Sequence, residues 1–228
     1  MLVFIAAEAR EFDGILRRAA PSSWLRCPIA FSRKVFWKGE EIVLMANGPG
    51  PRLAGAAAAA ARASQPLDAL VSFGFCGALD PALGPGEIFV ATQVLNAGPA
   101  LLPRTTREYR SGPLASIDHV AVSAAEKAEL AASGAMAVDM EAGAVAAQAR
   151  EWQVPFYCIR AVTDTASETL ALDFNRMRDR EGRFSRAKIV AAALRQPGLV
   201  RELRKLDRRC RQASEALGDF VDNCRFDH

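Results

Sequence analysis

The chain has 228 residues, half of them hydrophobic and 24% charged, with a formal net charge of +3. That is the composition of an ordinary soluble globular protein, long enough for one sizeable core and too short to demand a second. Two histidines, and five cysteines with no CxxC or metal-ligand spacing, all but exclude a metal cluster or a histidine-based triad. The odd cysteine count points to a reducing, cytoplasmic compartment.

Residues 2–7 are an apolar run that meets Glu8, Arg10 and Glu11 at once, so they read as a buried strand and not as a secretion signal. No stretch approaches the roughly 20 apolar residues that a bilayer span needs. The spacing predicts a helix over 8–18, with Phe12, Ile15 and Leu16 on one face. Strands over 29–37 and 41–46 form a hairpin around Lys38-Gly39-Glu40. After the break at Asn47-Gly48-Pro49-Gly50-Pro51 comes a nearly pure alanine helix over 53–64, with so little bulk that it can lie close to a sheet.

Further strands are predicted over 69–75, 87–95 and 119–122, and a helix over 124–133. Residues 136–138 lead into a helix over 140–152, and a strand follows over 155–162. Residues 97–116 mix charge, proline and glycine and read as a mobile loop. The C-terminal part is helical, with a break at Gln196-Pro197-Gly198. Strands alternating with helices predict a single three-layer α/β domain over 1–228, with 176–228 as its basic helical end. Between Arg176 and Arg211 stand 13 Lys or Arg against 4 Asp or Glu. Such a stripe attracts anionic lipid or nucleic acid, or is a solvated helix face. It has no interleaved aromatics, which argues against nucleic acid.

The residues that carry chemistry cluster at element ends. Ala137-Val138-Asp139-Met140-Glu141-Ala142 reads as a strand end turning into a helix, and Ile159-Arg160-Ala161-Val162-Thr163-Asp164 as a buried strand closing on a carboxylate. In open α/β sheets ligands lie beyond the carboxyl ends of strands. Asp164 there can donate a proton to a leaving group, or it is only a turn residue. Glu141 can grip hydroxyls or serve the helix dipole, and Asp139 can cap that helix. Met140 is a thioether wall or core. Arg160 interrupts a central strand and needs an anionic partner. Glu11, Gly48, Gly50 and Gly77 follow strands, where turns can present backbone N–H groups to an anion.

These residues, in this order, resemble the nucleoside phosphorylase / methylthioadenosine–adenosylhomocysteine nucleosidase superfamily. The landmarks are Glu11 after the first strand, Gly48-Pro49-Gly50 before a small-residue helix, and Phe73-Gly74-Phe75-Cys76-Gly77-Ala78-Leu79. Val138-Asp139-Met140-Glu141-Ala142 and Arg160-Ala161-Val162-Thr163-Asp164 complete them. The hopanoid-associated branch is more similar still, through Ala9-Arg10-Glu11, Leu79-Asp80-Pro81-Ala82-Leu83, Ala125-Glu126-Lys127 and the basic C-terminal helices.

The resemblance implies an αβα fold on a central mixed sheet and an enzyme that cleaves the N-glycosidic bond of a purine nucleoside. In that reading Glu141 holds the ribose hydroxyls, Met140 packs on the sugar and Asp139, Cys76 and Gly77 line the substrate. Asp164 protonates the purine, Glu11 orients the nucleophile and Arg160 organises its side. Phe75 stands where the family usually has a serine, so the usual anion site is altered. Arg10, Arg52, Arg160 and the Gly48 turn are then the candidates for phosphate. The expected reaction is phosphorolysis of an adenine nucleoside, with adenosylhopane as a substrate type; hydrolysis is the alternative, and non-catalytic nucleoside binding a second. No cofactor or metal is expected, beyond inorganic phosphate as co-substrate. The expected partners are a small nucleoside and a second copy of the chain, with no nucleic acid and a loose membrane contact.

Overall fold

The computed structural model describes residues 1–25 and 27–227. In chain order the first half runs β1 (Leu2–Ala6), a 3-10 turn (Ala9–Phe12), α1 (Asp13–Leu16), β2 (Ala20–Trp24), β3 (Phe31–Trp37), β4 (Glu40–Ala46), α2 (Pro51–Ser64) and β5 (Ala69–Ala78). Then come β6 (Ile88–Val94), β7 (Gly98–Pro99), β8 (Arg104–Thr105), β9 (Arg110–Ser116), α3 (Ala124–Ala131), β10 (Ala137–Asp139), α4 (Ala142–Trp152) and β11 (Phe156–Asp164). The chain finishes with a 3-10 turn (Phe174–Met177), α5 (Arg186–Arg195), α6 (Pro197–Asp222) and β12 (Cys224–Arg225).

One mixed sheet runs β10-β9-β6-β11-β5-β1-β4-β3-β2, with β7 on β6. β1 lies parallel between β4 and β5, and β11 lies parallel to β5 and antiparallel to β6. β10 pairs with β9 and also, antiparallel, with β5 through Val138 and Gly77. This second pairing closes five strands into a ring, and it brings the end of β10 against the ends of β5 and β11.

Side-chain alternation splits the core in two. Val3 and Ile5 face the alanine stripe Ala54, Ala57, Ala58 and Ala61 of α2 and the Val145–Ala149 side of α4. Leu2 and Phe4 face the other way, onto Phe12, Phe73, Tyr157 and the α6 residues Ala213, Leu217 and Phe220. Covered on both faces, β1 is buried throughout and reads as a continuous apolar run. The αβα layering expected from the sequence is present.

Four expectations are corrected. Residues 97–116 are not one loop: they hold β7, β8 and β9, and β9 is an inner strand between β6 and β10. Arg110–Ser116 shows little apolar alternation, so ladder hydrogen bonds, which a hydropathy pattern does not reveal, hold it. Residues 119–122 form no strand. The helix over 8–18 is a 3-10 turn followed by one short α-turn. Glu11 causes the break by turning inward to accept from the Glu8 N–H at 2.7 Å. The helix after β10 starts at Ala142, because Asp139 Oδ2 accepts the Ala142 N–H at 2.9 Å and leaves Met140 and Glu141 in the turn before it. The break between α5 and α6 falls at Gln196-Pro197 as expected. No helix among the described residues is long and apolar enough to cross a membrane.

Candidate active site

A cavity of about 390 Å³ opens beyond the ends of β1, β5, β10 and β11, and α5 and α6 form its far wall. The position follows from topology: β1, β5 and β11 run parallel and deliver their last residues to one edge, where β10 joins them by pairing with β5.

Glu11 sits on the cavity wall and is buried. Its Oε2 accepts the Glu8 N–H, and its Oε1 accepts the Phe75 N–H at 2.8 Å. This seat requires Gly74, whose φ is +142° and whose added Cβ would stand 2.3 Å from Glu11 Oε1. Burial raises the Glu11 carboxyl to about 7, against the two N–H bonds that favour its charge. Glu141 accepts the Gly50 N–H at 2.8 Å. Burial, then the neighbouring charge of Asp139, raises its carboxyl to about 8.

Arg160 is fully buried and does not line the cavity. Its Nε donates to Asp139 Oδ2 at 3.0 Å, and its Nη2 donates to Ser72 Oγ at 2.6 Å and to the same Asp139 oxygen. Burial opposes the arginine's charge, but the acidic neighbours together, Asp139 foremost, outweigh it and hold the group cationic. Arg160 therefore acts from behind the wall: it fixes Asp139, which caps α4 and so sets the turn that carries Met140 and Glu141.

Asp164 lines the cavity at the end of β11, where Gly77 lets it approach: a Cβ on Gly77 would stand 3.0 Å from Asp164 Oδ2. Its Oδ1 accepts from Thr163 Oγ1 at 2.9 Å, and its Oδ2 accepts from the Lys127 ammonium. Lys127 is the site-region residue that composition hides. In Ala124–Ala131 it stands beside Glu126 like a solvated helix charge, yet its side chain is 1% exposed. The buried Cys76 thiol is pushed well above its ordinary value by burial and stays neutral on the same wall.

The expected phosphate residues separate. Arg10 lines the cavity, with its guanidinium carbon 5.8 Å from the Phe75 ring centroid. Its charge is offset by Glu8 at 3.2 Å and Asp207 at 3.6 Å. Arg52 lies outside and donates to the Glu181 carbonyl. Gly48 is likewise off the wall, packed against Leu53 and Arg183. Arg186, not singled out by its sequence context, is on the wall. Among the described residues no group of three or more His, Cys, Asp or Glu side chains is placed to hold a metal ion.

A mixed sheet whose strand ends bring carboxylates, a thioether and a paired Asp–Lys around one cavity is an α/β fold with its candidate site beyond the strand ends. Sequence comparison names it: residues 29–105 and 97–195 match the Phosphorylase superfamily, and the chain belongs to that superfamily. No curated protein sequence matches. Among solved structures the chain is similar to S-adenosylhomocysteine nucleosidase from Streptococcus pyogenes, in complex with 5-methylthiotubericidin. The TM-score is 0.72 at 16% identity, over 97% of this chain and 94% of that one. It is also similar to the Helicobacter pylori 5′-methylthioadenosine/S-adenosyl homocysteine nucleosidase (TM-score 0.70, 17% identity, 96% and 95% covered). Futalosine hydrolase of Helicobacter pylori has a TM-score of 0.69 at 16% identity, with 97% and 95% covered.

Proposed function

We propose that this protein cleaves the N-glycosidic bond of a purine nucleoside, with adenine as the departing base. One observation carries the reading: Glu141, Glu11 and Asp164 face a single cavity, each held by bonds that leave it a distinct task. Bond breaking leaves an oxocarbenium-like sugar and a base that must be neutralised. Glu141, protonated near neutral pH, can donate to one ribose hydroxyl and accept from the other. Asp164 passes a proton to the purine as the C1′–N9 electron pair moves onto the base.

Water is the nucleophile we favour. Glu11, raised to about 7, is matched to take a proton from water at neutral pH. Three of the cations near the cavity are already compensated: Arg10 by Glu8 and Asp207, Arg160 by Asp139, Lys127 by Asp164. Phosphorolysis is the second reading, supported by Arg10 and Arg186 on the same wall. Chromatography for free adenine after incubation with adenosine-type nucleosides, with and without phosphate, tests both. Release without phosphate is expected; strict phosphate dependence would favour the second reading, and no release from any nucleoside would overturn both.

The C-terminal wall suggests the 5′ group. Phe174, Phe184, Ile189, Leu203 and Leu206 line it, an apolar surface suited to a hydrocarbon substituent. This supports a lipid-linked nucleoside of the adenosylhopane type, as in the hopanoid-associated branch. On α5, Val190 and Leu194 are 56% and 80% exposed. The surrounding stretch carries Arg183, Arg186, Lys188, Arg195 and Arg201 with no acidic residue from 182 to 201. That combination fits a face resting on anionic lipid.

A further inference from the structure

Lys127 has no role in the reading above, yet its ammonium is buried beside the cavity against one of the carboxylates. Each of its three ammonium protons has an acceptor: Asp164 Oδ2, the Thr165 carbonyl at 2.8 Å and the Glu168 carbonyl at 3.1 Å. Asp164 in turn accepts on both oxygens, from Lys127 and from Thr163. With both oxygens hydrogen-bonded, Asp164 has its nearest proton on the Lys127 ammonium.

We infer that Lys127 is the store from which the departing base is protonated, acting through Asp164. The inference rests on the proposed cleavage reaction. The Nζ–H bond breaks and an O–H bond forms on Asp164; that O–H then breaks as the purine ring nitrogen takes the proton. The C1′–N9 pair stays on the base. Lys127, left as a neutral amine, keeps its hydrogen bonds to the two carbonyls and regains a proton from solvent after the base leaves. Lys127 is thus a positioning residue and proton store, and Asp164 remains the group that meets the substrate.

The charged groups around the pair are already engaged. On α3 itself, Glu126 is held by His119 at 2.6 Å. From the loop after β11, Glu168 is bound by Arg209 at 2.6 Å and Lys205 at 3.4 Å. Arg209 of α6 also reaches the Thr163 carbonyl at 3.4 Å. On β5, Cys76 is held neutral by burial. His119 is raised from its ordinary value, chiefly by its bond to Asp118, and it also bonds Glu126 on α3. All variants are therefore compared in a His119→Asn background.

The test is the pH profile of kcat and KM for the parent, Lys127→Arg and Lys127→Met, with thermal melting to establish folding. Arginine keeps the charge but does not release its proton in proteins. Lys127→Arg is expected to lose about 100-fold or more in kcat, with KM little changed. Methionine matches the lysine stem and leaves Asp164 buried without a cation, so that the carboxyl keeps its own proton. Lys127→Met is expected to retain turnover only at low pH, with the alkaline limb of the profile moved down by more than about one unit. A Lys127→Arg protein with parental kcat would overturn the inference, and so would a Lys127→Met protein with an unmoved limb. Should the larger arginine prevent folding, the methionine profile alone decides. A parent that releases no base from any nucleoside would sink the cleavage reading and this inference with it, whereas an active parent with unaffected variants would sink this inference alone.

Discussion

At the residue scale, the site is assembled from carboxyl groups whose charge the fold opposes. Glu11 and Glu141 titrate near 7 and 8 in the folded chain, against 4.5 for an ordinary glutamate. The folded state therefore binds more protons than the unfolded state above about pH 4.5. Their effect on stability is neutral below that pH and grows increasingly unfavourable up to about pH 8. Melting temperature is expected to fall between pH 5 and 8.5, and Glu141→Gln to flatten the slope; a flat parent profile would contradict this. Asp164→Asn is expected to reduce turnover about 10²–10⁴-fold. It should also destabilise by about 3–5 kcal/mol, because Lys127 is left as a buried cation without its counter-charge. Adding Lys127→Met should restore the melting temperature and leave turnover low. Gly74→Ala forces a Cβ toward Glu11 Oε1 in a left-handed backbone. Lower stability and lost turnover are expected together, and a Gly74→Ala protein with normal kinetics would remove Glu11 from the mechanism.

At the element scale, strands and helices with strong patterns were readable and those held by their partners were not. The alanine run of α2, the apolar run of β1 and the Pro-Gly start of α6 declare themselves through propensity and composition. β9 does not, because Arg110, Gly112 and Pro113 give it no hydrophobic period and its place between β6 and β10 supplies the order. The exposed face of α5 makes its own prediction. Vesicle co-sedimentation should be stronger with anionic than with neutral lipid, and should fall with added salt. Val190→Glu with Leu194→Glu should abolish it and leave the melting temperature within a few degrees, since both side chains are exposed. Equal sedimentation of parent and double variant would set the membrane contact aside.

At the scale of the whole molecule, the closure of β10 onto β5 decides where the cavity lies. It draws the Asp139–Glu141 turn toward Gly77 and Asp164, residues separated in the chain by most of its central third. Assembly through a symmetric contact between two copies is our own expectation, and Leu101 and Leu102 are exposed apolar residues beside the sheet. A sedimentation mass of two chains at micromolar concentration is expected, and a mass of one chain would end that expectation. Chain order alone carried the layer architecture, since local propensity and burial pattern are written along the sequence, and it singled out Glu11, Glu141 and Asp164, which the fold brings to one cavity. It could not tell that Arg160 serves Asp139 from behind the wall, that Arg52 points elsewhere, or that Lys127 is buried against Asp164. Those roles depend on contacts between segments 21, 129 and 37 residues apart. A charged side chain in a helix looks the same in sequence whether it meets water or a carboxylate, and only the packing of α3 against the end of β11 makes that choice.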